Sequence, residues 1–208
     1  MSRRKTTRFA VGALVLAAAL AGCGGGEEDM GNMPGMSGNP SAPPAAQQGD
    51  VNQADVMFAR QMIPHHQQAV EMAKLVPSRT SNSDVVKLAE EIEHAQDPEI
   101  QTMTGWLEQW GAPAPTTGMD GGMDHGGMDG EMPGMMSPED MEKLEQAKDA
   151  EFDRMWMQMM IEHHRGAIDM AETELKQGSN TEAKQLAQQI IDAQQAEITT
   201  MNRLLGEN

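Results

Sequence analysis

The chain has 208 residues, a formal net charge of −17, one cysteine, no tyrosine and 21 methionines. Acidity on that scale argues against nucleic acid or an anionic lipid surface as partner and suits a domain that attracts cations. A single cysteine permits neither an internal disulfide framework nor a thiolate metal site, so any soft ligation has to come from methionine sulfur.

The first element in chain order is an export signal. Arg3, Arg4, Lys5 and Arg8 precede an apolar stretch from Phe9 to Leu20 that is too short to span a bilayer as a mature helix. Leu20-Ala21-Gly22-Cys23 resembles the lipobox of bacterial lipoproteins. The resemblance implies loss of residues 1–22, lipidation of Cys23 and a membrane-anchored, exported chain, on the outer face of the cytoplasmic membrane or elsewhere in the periplasm or cell envelope. Removing the four basic residues takes the charge from −17 to −21. The flanks of Arg3-Arg4 suit the general secretory route better than twin-arginine export. Residues 23–50 are rich in Gly, Pro, Ser and Ala and read as a disordered tether that carries Met30, Met33 and Met36.

The folded part, residues 51–208, reads as helix throughout. From Asp55 the apolar positions Phe58, Met62, Ala69, Met72 and Val76 recur at helical spacing. Residues 82–110 repeat the pattern through Val85, Leu88, Ile92, Met103 and Trp106, with Gly111 as a stop. Ser137-Pro138-Glu139-Asp140 starts a further helix with a capping hydroxyl, a first-turn proline and acids at the positive dipole end. Running to Gln177 it would be long, and a break is expected near residues 147–151. Gly178 to Thr181 then closes it and caps a last helix ending near Leu205. Hairpins 51–110 and 137–206, joined by a Met/Gly/Asp-rich linker at 111–136, each leave an apolar stripe uncovered, and two such hairpins make an all-α four-helix bundle. Pro64 should kink the first helix just before its histidines.

The two hairpins match each other, without a gap, at an offset of 98 residues. Met62-Ile63-Pro64-His65-His66 returns as Met160-Ile161-Glu162-His163-His164, and Met72, Gln96, Glu99 and Met103 return as Met170, Gln194, Glu197 and Met201. Met62 lies three residues before His65 and four before His66, so its sulfur can share an ion with either imidazole. Met72 is two turns from His65 and suits a contact from a neighbouring helix. Carboxylates on a core stripe are costly unless paired or bound to a cation, and Glu99 and Glu197 either ligate an ion or orient a ligating histidine. Asp55 and Asp153 read as helix-start residues or outer partners. Thioether with imidazole favours Cu(I), with Cu(II) open through imidazole, over Mg or Ca. The candidate metal set is thus His65, His66, His163, His164, Met62, Met160, Met72, Met170, Met103, Met201, Glu99 and Glu197. Met119, Met123, His125, Met128, Met132, Met135 and Met136 form a second, linker-borne set for capturing soft ions, in surroundings that offer no core. Against all this stands the bland alternative that flexible Met fills gaps and buried His merely satisfies hydrogen bonds.

The segments from Met62 to Ala73 and from Met160 to Ala171, with Gln96, Glu99-Ile100 and Met103 and their counterparts, resemble the bacterial "domain of unknown function 305" family over roughly residues 50–206. The resemblance implies a ferritin-like four-helix bundle in exported proteins, and some members, the CopM-like ones, bind copper outside the cytoplasm and support copper tolerance. The leading expectation is therefore a lipid-anchored protein that sequesters or hands on copper without turnover, its partners being the metal ion and the membrane, with a protein recipient left open. Two alternatives remain. A ferritin-like di-metal oxidase would need paired Glu-x-x-His motifs, and Glu91-x-x-His94 exists once while its counterpart is Gln189-x-x-Asp192. A partner-docking helical module would leave the histidines purely structural.

Overall fold

A computed structural model of the chain describes residues 50–115 and 132–206; the signal segment, Cys23, the tether and residues 116–131 lie outside them. Five helices account for the described part: α1 (Gln53–Arg79), α2 (Ser83–Gln109), α3 (Pro138–Gln146), α4 (Asp149–Gln177) and α5 (Thr181–Leu205). The four long ones form the expected ferritin-like bundle of two hairpins, α1–α2 and α4–α5, which meet through α1 and α4. None of the described helices is long and apolar enough to cross a membrane.

Local chemistry sets the helix ends. Asn52 caps α1 by accepting from the amides of Ala54 and Asp55 at 2.7 and 3.2 Å, while the Asp55 carboxylate accepts from Asn52 N at 2.6 Å, a reciprocal capping box. Asn82, Ser137 and Asn180 cap α2, α3 and α5 through their side-chain oxygens. α1 continues through Pro64 and Pro77. The break expected near residues 147–151 falls at Ala147 and Lys148, after which Asp149 takes a left-handed φ of 51°.

Two apolar cores, one toward each end of the bundle, each draw on all four long helices. One gathers Phe58, Met62, Met103, Ala167, Met170, Leu186 and Ile190; the other gathers Met72, Leu88, Ile92, Phe152, Trp156, Met160 and Met201, and adds Leu144 from α3. Burying each large side chain of this kind stabilises the fold by about 1.5–3 kcal/mol before entropy is counted. The short α3 has no counterpart among the described residues of the first half, so the duplicated halves differ most at that end.

Candidate metal centre

The histidine pairs of the two hairpins come together on α1 and α4, the helices through which the hairpins meet. All four imidazoles are fully buried. The His65 and His163 rings lie 3.7 Å apart between centroids, tilted by 39°, and His164 stands 6.5 Å from His163. His66 Nε2 donates to Glu99 Oε2 at 2.8 Å, and His164 Nε2 donates to Glu197 Oε2 at 2.6 Å. The same carboxylate–imidazole bond thus forms in each hairpin, from the second helix back to the first. Glu99 and Glu197 are partly exposed at the rim, at 19% and 16% of their side-chain surface, while the rings they hold are at 0%.

These bonds fix the tautomers. A ring nitrogen facing a carboxylate or carbonyl must carry the proton, so Nε2–H donates in His66, in His164 and in His65, whose partner is the Pro133 carbonyl at 3.0 Å. In the neutral ring the lone pair is then on Nδ1. His65, His66 and His164 each bury an Nδ1 that takes no hydrogen bond, and His163 buries both ring nitrogens without one. Burial, reinforced by His66, pushes the His65 imidazole down to about 3. His163 is also held well below its ordinary value, first by burial and then by the neighbouring histidines. The His65 and His163 rings are therefore neutral at physiological pH, the form a metal requires.

The methionines of the candidate set are buried as well. Met62, Met72, Met103, Met160 and Met201 are at 0% exposure and Met170 at 8%. Met62, Met103 and Met170 share one core, and Met160, Met201 and Met72 the other. Each core thus draws two of these methionines from one hairpin and a third from the opposite hairpin. Among the described residues no three His, Cys, Asp or Glu side chains converge to hold an ion. An ion held here would need sulfur beside nitrogen, a donor set that fits a soft monovalent cation.

The remaining candidates divide. Met132, Met135 and Met136 are partly buried. Met136 packs against the second core and exchanges two backbone hydrogen bonds with the Gln68 side chain, at 2.7 and 3.0 Å. The end of the linker is thus docked on the bundle, where the sequence suggested surroundings with no core. Met119, Met123, His125 and Met128 lie outside the described residues, as does Cys23. Gln96 and Gln194 are buried with Oε1 atoms that take no hydrogen bond, and His94 is exposed. Asp55 and Asp153 serve the turns: Asp55 accepts from the amides of Ser179 and Asn180 at 2.9 and 2.8 Å, and Asp153 accepts from the Asn82 side chain at 2.8 Å.

Two features escaped the sequence reading. Pro133 and Gly134 pack so tightly on α4 that a Cβ at Gly166 would stand 2.8 Å from Gly134 N and overlap the Pro133 carbonyl. The signal was a glycine inside an otherwise favourable helix, where the other repeat has Gln68. Glu174, at 1% exposure, sits against Asp55 where the other repeat has Val76. Burial, together with Asp55, pushes its carboxyl up to about 8. Burial alone would raise Asp55 too, but the amides of Asn52, Asn180 and Ser179, with Glu174, hold it below the ordinary value.

The family described as "domain of unknown function (DUF305)" matches residues 55–205. The chain belongs to the DUF305 family. Among solved structures it is similar to a DUF305 protein from Streptomyces coelicolor, at 35% identity and a TM-score of 0.65, covering 74% of this chain and 93% of that one. A DUF305 fragment from Deinococcus radiodurans follows at 30% identity and a TM-score of 0.64, covering 76% and 99%. CopM in its Cu(I)-bound form shares 30% identity at a TM-score of 0.58, over 72% of this chain and 94% of that one, and CopM is also known in Cu(II)-bound and Ag-bound forms. No curated protein sequence matches the chain.

Proposed function

We propose that this DUF305 protein is an exported, lipid-anchored copper-binding protein that sequesters Cu(I) or hands it on, contributing to copper homeostasis or tolerance. The observation that carries the reading is the doubled set of fully buried imidazoles with unpartnered Nδ1 atoms, in a bundle whose two cores each hold three buried methionines of the candidate set. Its likeness to CopM, a protein seen with Cu(I), Cu(II) and Ag, supports the choice of metal. Glu99 and Glu197 hold the outer nitrogen of His66 and His164, which orients the ring and raises the basicity of the nitrogen that would face the ion. Met62, Met160, Met72, Met170, Met103 and Met201 supply the soft donors, and nothing in the arrangement requires turnover. Anchoring through Cys23 would keep the domain at the membrane surface, with the methionines of the tether and linker gathering ions around it.

The test is an anaerobic Cu(I) titration of the chain against a competing chromophoric chelator, with a second chain lacking residues 116–131. Tight binding that survives the deletion and falls when Met62 and Met160 are changed to Leu supports the bundle site. Stoichiometric binding by the bundle that persists after replacement of all four histidines and both methionines overturns it.

A further inference from the structure

The halves of the bundle are related by their offset, yet the surfaces above the two thioether trios are built from different residues. Between the start of α1 and the end of α4 lies a cavity of about 430 Å³, lined among others by Ala54, Met57, Phe58, Met170, Thr173 and Glu174. Met170, a member of the first trio, forms part of its wall. At the equivalent places of the other half, Ala54 is replaced by Phe152, Phe58 by Trp156, Thr173 by Leu75 and Glu174 by Val76. Phe152, Trp156 and Val76 are at 0% exposure. The Trp156 indole donates to the Met72 carbonyl at 3.0 Å, and Leu144 of α3 packs into the same core. A shallower groove of about 300 Å³ does run between α3 and α4, lined by Met136, Met155 and Met159 among others, but none of Met72, Met160 and Met201 lines it.

We propose that soft monovalent cations enter the bundle from one end only, through the cavity walled by Ala54, Met57, Thr173 and Met170, so that the trio Met62/Met103/Met170 exchanges rapidly while Met160/Met201/Met72 is sealed. The proposal rests on the copper-binding reading above. The entrance suits its cargo: Met57 and Met170 present thioethers, and Asp169 in the same wall adds a carboxylate that draws cations toward it. Sulfur at the mouth and sulfur in the interior allow an ion to pass from ligand to ligand without becoming fully bare. At the sealed end the large apolar side chains offer no such path, and loading there has to wait for a local opening of α3 or of the bundle.

The experiment transplants the sealed end's residues onto the open one. The double variant Ala54→Phe/Thr173→Leu places large apolar groups into existing space, so it fills the cavity without crowding the core. Two readouts are taken on the full chain and on this variant. The first needs no metal: a brief peroxide pulse followed by mass spectrometry of each methionine, which reports thioether access. Met170 is expected to oxidise at least about fivefold faster than Met72 in the parent, and at a rate close to that of Met72 in the variant. The second is stopped-flow loading of Ag(I), a redox-inert soft cation. The parent is expected to load in a fast and a slow phase, and the variant to lose the fast phase with the final stoichiometry unchanged. Equal oxidation of Met72 and Met170, or an Ag(I) fast phase that the variant leaves intact, overturns one-ended entry while the metal reading stands. Complete absence of Ag(I) and Cu(I) binding overturns that reading and this inference together.

Discussion

Gly166→Ala separates the contribution of the docked linker from that of the bundle. An alanine inside α4 should by itself stabilise the helix by about 0.5–1 kcal/mol. Here, however, the new methyl would stand 2.8 Å from Gly134 N and overlap the Pro133 carbonyl, both of them backbone atoms that cannot rotate aside. The segment has to lift, and the bond from His65 Nε2 to Pro133 O at 3.0 Å goes with it. Leaving that buried N–H unpaired costs about 1–3 kcal/mol. The Gln68 contacts with Met136, at 2.7 and 3.0 Å, are strained in the same movement. Gain and loss partly cancel, so urea unfolding should show a net destabilisation between about 0 and 2.5 kcal/mol. Amide hydrogen exchange is the sharper assay, because the Met136 amide is protected only through Gln68 while amides at the centres of α1 and α4 are held by their helices. Met136 should exchange much faster in the variant, with the helix centres unchanged. The reasoning fails if Met136 keeps its protection, or if the variant is more stable by the full helix gain.

The same substitution at Gly105, in an open part of α2 with nothing within 4 Å of the added methyl, should raise stability by about 0.5–1 kcal/mol in the same urea assay. Glu174 predicts a pH dependence: its carboxyl titrates near 4.5 when unfolded and about 8 when folded, so unfolding releases a proton between those values and stability falls as pH rises through that window, by at most about 1.4 kcal/mol per pH unit. Glu174→Gln should flatten that slope in unfolding curves taken from pH 5 to 8. Asp55, held below its ordinary 3.8, acts in the opposite sense, its contribution present above that value and lost only on strong acidification. Glu99→Gln and Glu197→Gln keep an acceptor for the imidazole N–H but remove its charge; each should lower Cu(I) affinity about 10–100-fold in chelator competition while leaving the melting temperature nearly unchanged. Undiminished affinity in both would show that the carboxylates serve packing alone.

The helices and the pairing of hairpins were legible because local signals agree with one another there. Asn52, Asn82, Ser137 and Asn180 each stand one residue before a helix and cap it, and the apolar stripes run on the expected faces. The duplication did the rest, since a residue kept in both halves against a background of drift is held by something other than helix propensity. That is how Glu99 and Glu197 could be expected either to ligate an ion or to orient a histidine before any distance was known; that the histidines are His66 and His164 came from the structure. The docked segment was not legible, because Met132 to Met136 is a short Pro- and Gly-containing run whose composition matches the linker before it. Only its tertiary partners, Gly166, Gln68 and His65, distinguish it. Local reading sees composition, whereas docking is decided by the surface on which a segment lands.

Departures from the repeat carry as much information as the repeat itself. The halves agree at the histidines, the carboxylates and the six thioethers; Met alone could be kept as core filler, but a buried His paired with a Glu in both halves asks for more than volume. Among the many positions where they disagree, four lie near one face of α4: Ala54 for Phe152, Thr173 for Leu75, Glu174 for Val76 and Gln68 for Gly166. Three of those differences surround one cavity and the fourth receives the returning linker. A twofold bundle with two identical ends would exchange ions symmetrically. This one keeps the paired residues but differs between its ends in access, through Phe152 and Trp156, and at the histidines, where His65 is held by Pro133 O and His163 by no hydrogen bond, so an asymmetry in its behaviour has these two sources.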